Sequence, residues 1–415
     1  MRITIINKFY KPDFSPTAHL CAILAEDRAK SGDQVTVVAS RGSYSGVASK
    51  GDSVVNCSGP SSNPKVLRLW SPGLGKSAIL RRLLEYGAFY LGAARSMILL
   101  PRQDVIVALT TPPWIVIVAW LHKLLHPRAK IVLWNMDCYP EIAERSGLIS
   151  ETGPLSFFLR WVNRRVFRNI HQLIVLDEAM KKLLVTRYEI DPKALPVSVI
   201  PNFESLEMFP GIGSVERWGQ ASRVGLDGKF VVLYLGNMGV GHEFGVVVEA
   251  AKRLSTEPVV FLFVGDGSRR KELEQARDRY GLSNLILHHY VDKQTSSSVM
   301  ASADMALITM SDSMLGVMSP SKLHSNLAMG LPILYIGPSG SNVDQAIERY
   351  SCGFSLRHSD PDGITLVIRK LLKKGQDYAE IRARSRQAFE NEFSELKTMP
   401  LFAEVLSKLE PHRER

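Results

Sequence analysis

The stretch Phe230-Val231-Val232-Leu233-Tyr234-Leu235-Gly236-Asn237-Met238-Gly239-Val240-Gly241-His242 decides the fold. Its first six residues read as a strand, and a helical pattern over Glu243–Leu254 follows at once. Three glycines between the two let the backbone come close to a ligand at the start of a helix. The spacing is not GxGxxG and no Walker lysine is present, so neither a dinucleotide fingerprint nor a P-loop is indicated.

Outward from this unit the alternation repeats. Strands are expected at Val259–Val264, Leu285–Leu287, Met305–Ile308 and Ile333–Ile336, with helices near Arg270–Tyr280, Gln294–Ala301 and Lys322–Met329. In an open α/β sheet, ligands sit beyond the carboxyl ends of the strands. Three more loops fall there: Gly265-Asp266-Gly267, His288-His289-Tyr290-Val291-Asp292, and the run Ser319-Pro320-Ser321-Lys322. Pro320 at a helix start, Ser319 and Ser321 beside it, and the charge of Lys322 suit phosphate oxygens, although an ordinary capped helix with a solvated lysine gives the same residues. Any one of these loops is weak alone. Jointly they point to a nucleotide with its phosphates.

Residues 1–200 show the same α/β alternation, with strands at Ile3–Ile6, Val35–Ala39, Lys65–Leu69, Val105–Leu109, Lys130–Trp134, Leu173–Leu176 and Val197–Ile200. Gly42–Asn63, rich in Gly and Ser, reads as a mobile loop. Just past the fifth strand, Asp137 and Glu141 place carboxylates at the rim, where a hydroxyl could be oriented or deprotonated. A helix cap explains Asp137 equally simply. Phe14 and Ser15 precede the first helix and His19 lies one turn into it; all three are candidates for the acceptor side, with local packing as the plainer reading of His19.

At 415 residues the chain exceeds one ordinary core, and two domains of roughly 200 residues are expected. Residues 1–200 hold 26 Lys/Arg against 15 Asp/Glu, a surplus of 11, whereas the remainder is nearly neutral. A basic half implies an anionic partner. No nucleic-acid motif or aromatic platform accompanies the charge, so nucleic acid is not expected. Leu80–Tyr90 and Phe157–Phe167 instead read as basic amphipathic helices suited to an anionic membrane surface, or as core helices with a solvated rim. The apolar run near Ile115–Leu125 is too short to span a bilayer. Cys21, Cys57, Cys138 and Cys352 lie far apart without CxxC spacing, which suggests a reducing compartment and no zinc site. Met1-Arg2-Ile3 enters a strand directly, so no signal peptide is expected.

At this point the chain resembles the GT-B glycosyltransferases of family 4, specifically bacterial enzymes of exopolysaccharide and O-antigen assembly. The resemblance rests on Asn7-Lys8-Phe9-Tyr10-Lys11-Pro12-Asp13, Leu109-Thr110-Thr111-Pro112-Pro113, Asp137-Cys138-Tyr139-Pro140-Glu141, Val199-Ile200-Pro201-Asn202, Tyr234 to Gly239, Phe263 to Gly267 and Pro320-Ser321-Lys322-Leu323. It implies two Rossmann-like doubly wound domains facing a central cleft. The expected division is residues 1–202 for the acceptor, a linker over 203–228, residues 229–376 for the donor, and a terminal helix over 377–415 returning to the first domain.

It also implies a retaining transfer from a nucleoside-diphosphate sugar, UDP favoured over GDP, with no cofactor or obligatory metal. Lys322 and the amides of Gly236, Asn237, Met238 and Gly239 would stabilise the departing diphosphate. Gly265, Asp266, Gly267, Ser319, Ser321 and Ser325 would complete the donor pocket, Val291 would lie near the base, and Asp137 near the reacting hydroxyl. The sequence departs from the family pattern in three places. Its paired glutamates are replaced by Val317 and Ser325. The arginine that partners the lysine is missing, with His242, Arg269 and Arg270 as candidate substitutes. The glycine pair of the first loop is Ser15-Pro16-Thr17. The leading expectation is a cytoplasmic transferase, peripheral on the inner face of the plasma membrane, extending a lipid-linked glycan. A sugar-nucleotide 2-epimerase of the same fold and a catalytically weak partner subunit are the alternatives.

Overall fold

A computed structural model describes residues 1–13, 15–41, 63–73, 79–209, 211 and 213–410. Phe14 and residues 42–62 of the expected loop Gly42–Asn63 lie outside them. The chain divides into two compact units, Met1–Pro201 with Thr398–Arg415, and Asn202–Lys397.

The first unit is built on β1 Arg2–Ile6, β2 Gln34–Ser40, β3 Lys65–Leu69, β4 Val105–Leu109, β5 Lys130–Trp134, β6 Gln172–Val175 and β7 Val197–Val199. Among the described residues these form one parallel sheet in the order β3-β2-β1-β4-β5-β6-β7. The central strands are buried along all but their first residue or along their whole length, because helices cover both faces, so alternation is lost and near-continuous apolar runs remain. Ile3–Ile6 pairs with Val35–Val38 on one side and Val105–Ala108 on the other, which puts the reversal of strand order between β1 and β4.

The second unit repeats the plan with β8 Phe230–Leu235, β9 Val259–Val264, β10 Leu285–His288, β11 Met305–Thr309, β12 Ile333–Ile336 and β13 Gly353–Leu356. The order is β10-β9-β8-β11-β12-β13, again all parallel, with its reversal between β8 and β11. The sequence reading missed β13. It is four half-buried residues opening on glycine, too short and too mixed to carry a pattern. Gly353 belongs there because a Cβ would lie 2.1 Å from the Ile333 carbonyl oxygen.

Two expected boundaries are corrected. Residues 203–228 are not a free linker but part of the second unit. Trp218 is buried there, its backbone N–H donates to Ser302 Oγ at 2.8 Å, and its ring meets that of His288 at 5.0 Å. The expected terminal helix over 377–415 is broken into Gln376–Ala388, a π turn at Phe389–Phe393, and Glu395–Ser407. Only from Thr398 does the chain join the first unit, where Phe402 packs edge-on to Trp134 at 4.6 Å.

Candidate functional site

In the second unit the loops after β8 and β9 and the start of helix Lys322–Ala328 come together. Gly236 N–H donates to Val264 O at 2.8 Å, and Met238 N–H to Asp266 O at 2.8 Å. A Cβ on Gly265 would meet the Gly236 carbonyl oxygen at 2.1 Å, and one on Gly267 the Met238 carbonyl oxygen at 2.4 Å. Both glycines also have positive φ, so each serves by its missing side chain. Lys322 lies against the same loop: its Cε would be 3.1 Å from a Cβ on Gly236. Its Nζ sits 4.7 Å from the centre of the Tyr234 ring and 3.5 Å from His242 Nε2. Desolvation pushes the Lys322 pKa down to about 8, so the ammonium is charged but poorly compensated, a state an anion would relieve.

This geometry narrows the expected donor contacts. The amides of Gly236 and Met238 are engaged within the fold, while among the described residues those of Asn237 and Gly239 have no backbone partner. Met238 is fully buried, so its side chain takes no part in donor contacts. The half-exposed carboxylate of Asp266 already has a neighbour, His289 Nδ1 at 3.1 Å. Ser325 Oγ turns back to the Lys322 carbonyl oxygen at 3.4 Å. Ser321 is exposed and makes no side-chain cap, whereas Ser319 Oγ is buried with no hydrogen-bond partner among the described residues. Val291 is half-buried in the loop after β10. Of the substitutes for the missing arginine, Arg270 Nη1 donates to the carbonyls of Gly265 at 2.7 Å and His288 at 2.9 Å, and Arg269 pairs with Glu272 at 2.7 Å. His242 alone adjoins Lys322. Burial first, then the Lys322 charge, push its pKa down to about 3, so it is a neutral ring.

In the first unit, Thr110 Oγ1 accepts the amides of Met136 and Asp137 at 3.2 Å each, pinning the loop after β5 to the end of β4. Asp137 lines a hollow with Thr110, Trp114, Asn135, Tyr139 and Asn163. Desolvation raises its pKa to about 6, near the working range of a general base. Glu141, expected beside it as a catalytic group, is corrected. It is fully buried, accepts from Tyr188 Oη at 2.5 Å and pairs with Arg187 Nε at 3.1 Å, so it ties helix Glu178–Tyr188 to helix Glu141–Arg145. Ser15 is corrected likewise: it is buried and caps helix Pro16–Lys30 by accepting from Ala18 N–H at 3.1 Å. His19 is half-buried in the first turn of that helix.

Sequence reasoning gave no separate part to Tyr234, read there as the last-but-one residue of a strand, or to Thr309, one residue past the expected strand end and the last residue of β11. It also missed a buried ion pair at the β1–β4 reversal, Lys8 Nζ to Glu85 Oε2 at 2.7 Å. No spacing links residues 77 positions apart, so only the fold could pair them.

Comparison with known proteins agrees with the two-unit plan. Residues 18–202 match the model of the glycosyl transferase 4-like domain, and residues 229–374 that of glycosyl transferases group 1. A probable glycosyltransferase, WbjE of Pseudomonas aeruginosa, is 22% identical over 287 residues, 68% of each chain. WcaI of Escherichia coli K12, a putative colanic acid biosynthesis glycosyl transferase, is 28% identical over 44% of this chain and 45% of its own. The fold is similar to that of HepE from Anabaena, solved with UDP-glucose, at a TM-score of 0.67 and 15% identity, covering 98% of this chain and 100% of that one. With both halves matched and in this order, the chain belongs to the GT-B glycosyltransferases of family 4.

Proposed function

We propose that the chain moves a sugar, with retention of configuration, from a nucleoside-diphosphate sugar to a lipid-linked or polysaccharide acceptor at the cytoplasmic face of the membrane. The observation that carries this reading is the Lys322 ammonium set against the Gly236–Gly239 loop, beside the unengaged amides of Asn237 and Gly239. A diphosphate gains charge as the bond to the sugar breaks. A fixed ammonium and two amides stabilise that charge without reorganising. Asp137 is suited to hold the acceptor hydroxyl and draw off its proton. That HepE was solved with UDP-glucose supports a UDP rather than a GDP donor; retention and the absence of an obligatory metal are what the family resemblance implies.

The polysaccharide context is supported by WcaI. The membrane location is supported by helix Pro154–Asn169, which exposes Phe157, Phe158 and Trp161 at 60%, 57% and 50%, alongside exposed Arg164 and Arg165, and contains no acidic residue. No described helix is long and apolar enough to cross a membrane. One observation favours the catalytically weak alternative: Val317, where the family resemblance implies a glutamate, is fully buried.

A thermal-shift panel of UDP-, GDP-, ADP- and dTDP-sugars tests the donor site, because a ligand of the native state raises its midpoint. A UDP-sugar should raise the midpoint, and Lys322→Met should abolish the effect. If no nucleotide sugar moves it, the donor reading is wrong. Binding without turnover on any lipid-linked acceptor would instead mark a weak subunit.

A further inference from the structure

His242 follows β8 and the glycine loop, is 4% exposed, and neighbours Lys322, which lies against that loop. Its Nδ1 lies 2.7 Å from the Thr309 carbonyl oxygen and 3.3 Å from Thr309 Oγ1. A carbonyl only accepts, so Nδ1 carries the proton and Nε2 keeps its lone pair. That lone pair faces Lys322 Nζ at 3.5 Å, while the ring of Tyr234 takes the ammonium on its face. The imidazole is itself wedged by aromatic neighbours: Tyr234 meets it edge-on at 5.6 Å and Phe244 stacks at 6.3 Å. Among the described residues the charged group set against it is Lys322, on the helix after Ser321. Tyr234 on β8 and Thr309 on β11 are its other polar neighbours. The adjacent Glu243 turns elsewhere, toward His358 Nδ1 at 3.8 Å.

A protonated His242 would have to surrender the Nε2 lone pair and point a second positive charge at Lys322. The geometry therefore argues against His242 as a replacement for the family's phosphate-binding arginine. Arg269 and Arg270, bound to Glu272 and to the Gly265 and His288 carbonyls, do not replace it either.

We propose that His242 is a positioning residue, a neutral acceptor that fixes the Lys322 ammonium at the rim of the Gly236–Gly239 loop. Lys322 is then the single cation that the described residues of the second unit offer to a diphosphate. The proposal rests on the donor reading above. It explains how one lysine is aimed: Thr309 sets the tautomer, the tautomer presents a lone pair, and the lone pair and the Tyr234 face hold Nζ between them.

Calorimetric titration of the full chain with UDP, GDP, ADP and dTDP tests it, using wild type, His242→Gln, His242→Phe and Lys322→Met. Glutamine can return a neutral acceptor near the Nε2 position, so His242→Gln should keep affinity within about threefold, while His242→Phe should lose about tenfold. The ratio of wild-type to His242→Gln affinity should stay constant from about pH 5.5 to 7.5, where a cationic histidine would titrate. Ionisation of the nucleotide's own phosphate is common to both proteins and cancels. A ratio that grows as pH falls would make His242 a cation for the diphosphate and overturn the proposal. Equal binding by a folded His242→Phe, checked by its melting midpoint, would also overturn it. Glutamine failing as badly as phenylalanine would do the same. Failure of all four nucleotides to bind wild type would remove the donor site itself, a result distinct from any effect confined to His242.

Discussion

A Cβ on Gly265 would collide with the Gly236 carbonyl oxygen, and the residue's φ of +144° lies where side chains are rarely tolerated. Gly265→Ala should therefore lower stability by on the order of 2 kcal/mol or more and abolish the thermal shift given by a nucleotide sugar. An unchanged melting curve would show that the two loops do not touch as described. Asp137 offers a second test. Its native pKa of about 6 exceeds the ordinary 3.8, because burial disfavours the charge. Between those values the native state binds more protons than the unfolded state, so this group's contribution to stability falls as pH rises through that window. Asp137→Asn removes the penalty. It should raise the melting midpoint by about 2–4 °C near pH 7.5, leave it unchanged near pH 4, and depress sugar transfer. A lower midpoint at neutral pH would contradict the buried, unfavourable carboxylate. Lys322 was singled out in the sequence only jointly with the glycine loops at the neighbouring strand ends, since alone an ordinary capped helix with a solvated lysine gives the same residues. Glu141 misled because its two partners, Arg187 and Tyr188, lie on a later helix and are invisible in the linear chain.

Helix Pro154–Asn169 has two unlike sides. Inward, Asn163 accepts from Trp114 Nε1 at 2.7 Å and donates to Tyr139 O at 2.6 Å, securing a wall of the Asp137 hollow. Outward stand Phe157, Phe158 and Trp161, with Arg165 5.3 Å from the Trp161 ring centre. Replacing those three aromatics with serine should abolish co-sedimentation with anionic vesicles while leaving the melting midpoint within about 2 °C, because exposed side chains contribute little to the fold. Retained co-sedimentation would move the lipid contact to another element; a collapsed midpoint would mean the aromatics are packed. The amphipathic pattern of this helix was readable because the apolar and basic residues are neighbours in sequence. Its inward polar clamp was not, since a lone asparagine inside a helix carries no pattern.

At the scale of the molecule, Phe402 is fully buried against Trp134, although it lies beyond the whole second unit in sequence. Phe402→Ala should destabilise the first unit by about 3–5 kcal/mol. Calorimetry of the full chain should show this as a drop in one transition while a second, carrying the Asn202–Lys397 unit, stays put. Loss from both transitions equally would mean that the units unfold as one.

By itself the sequence determined two parallel α/β units, all of their strands but β13, and the glycine and lysine loops at the strand ends. Those signals are local: apolar runs set by burial on both faces, glycines set by backbone crowding, and helix starts set by proline and serine. Only the tertiary structure decided that residues 203–228 pack on the second unit, that the chain rejoins the first at Thr398, that Ser15 and Glu141 serve the fold, and that His242 stands neutral beside Lys322. Each of these depends on which distant group ends up within about 3 to 4 Å, where desolvation and hydrogen bonding take effect, and linear spacing does not encode that distance.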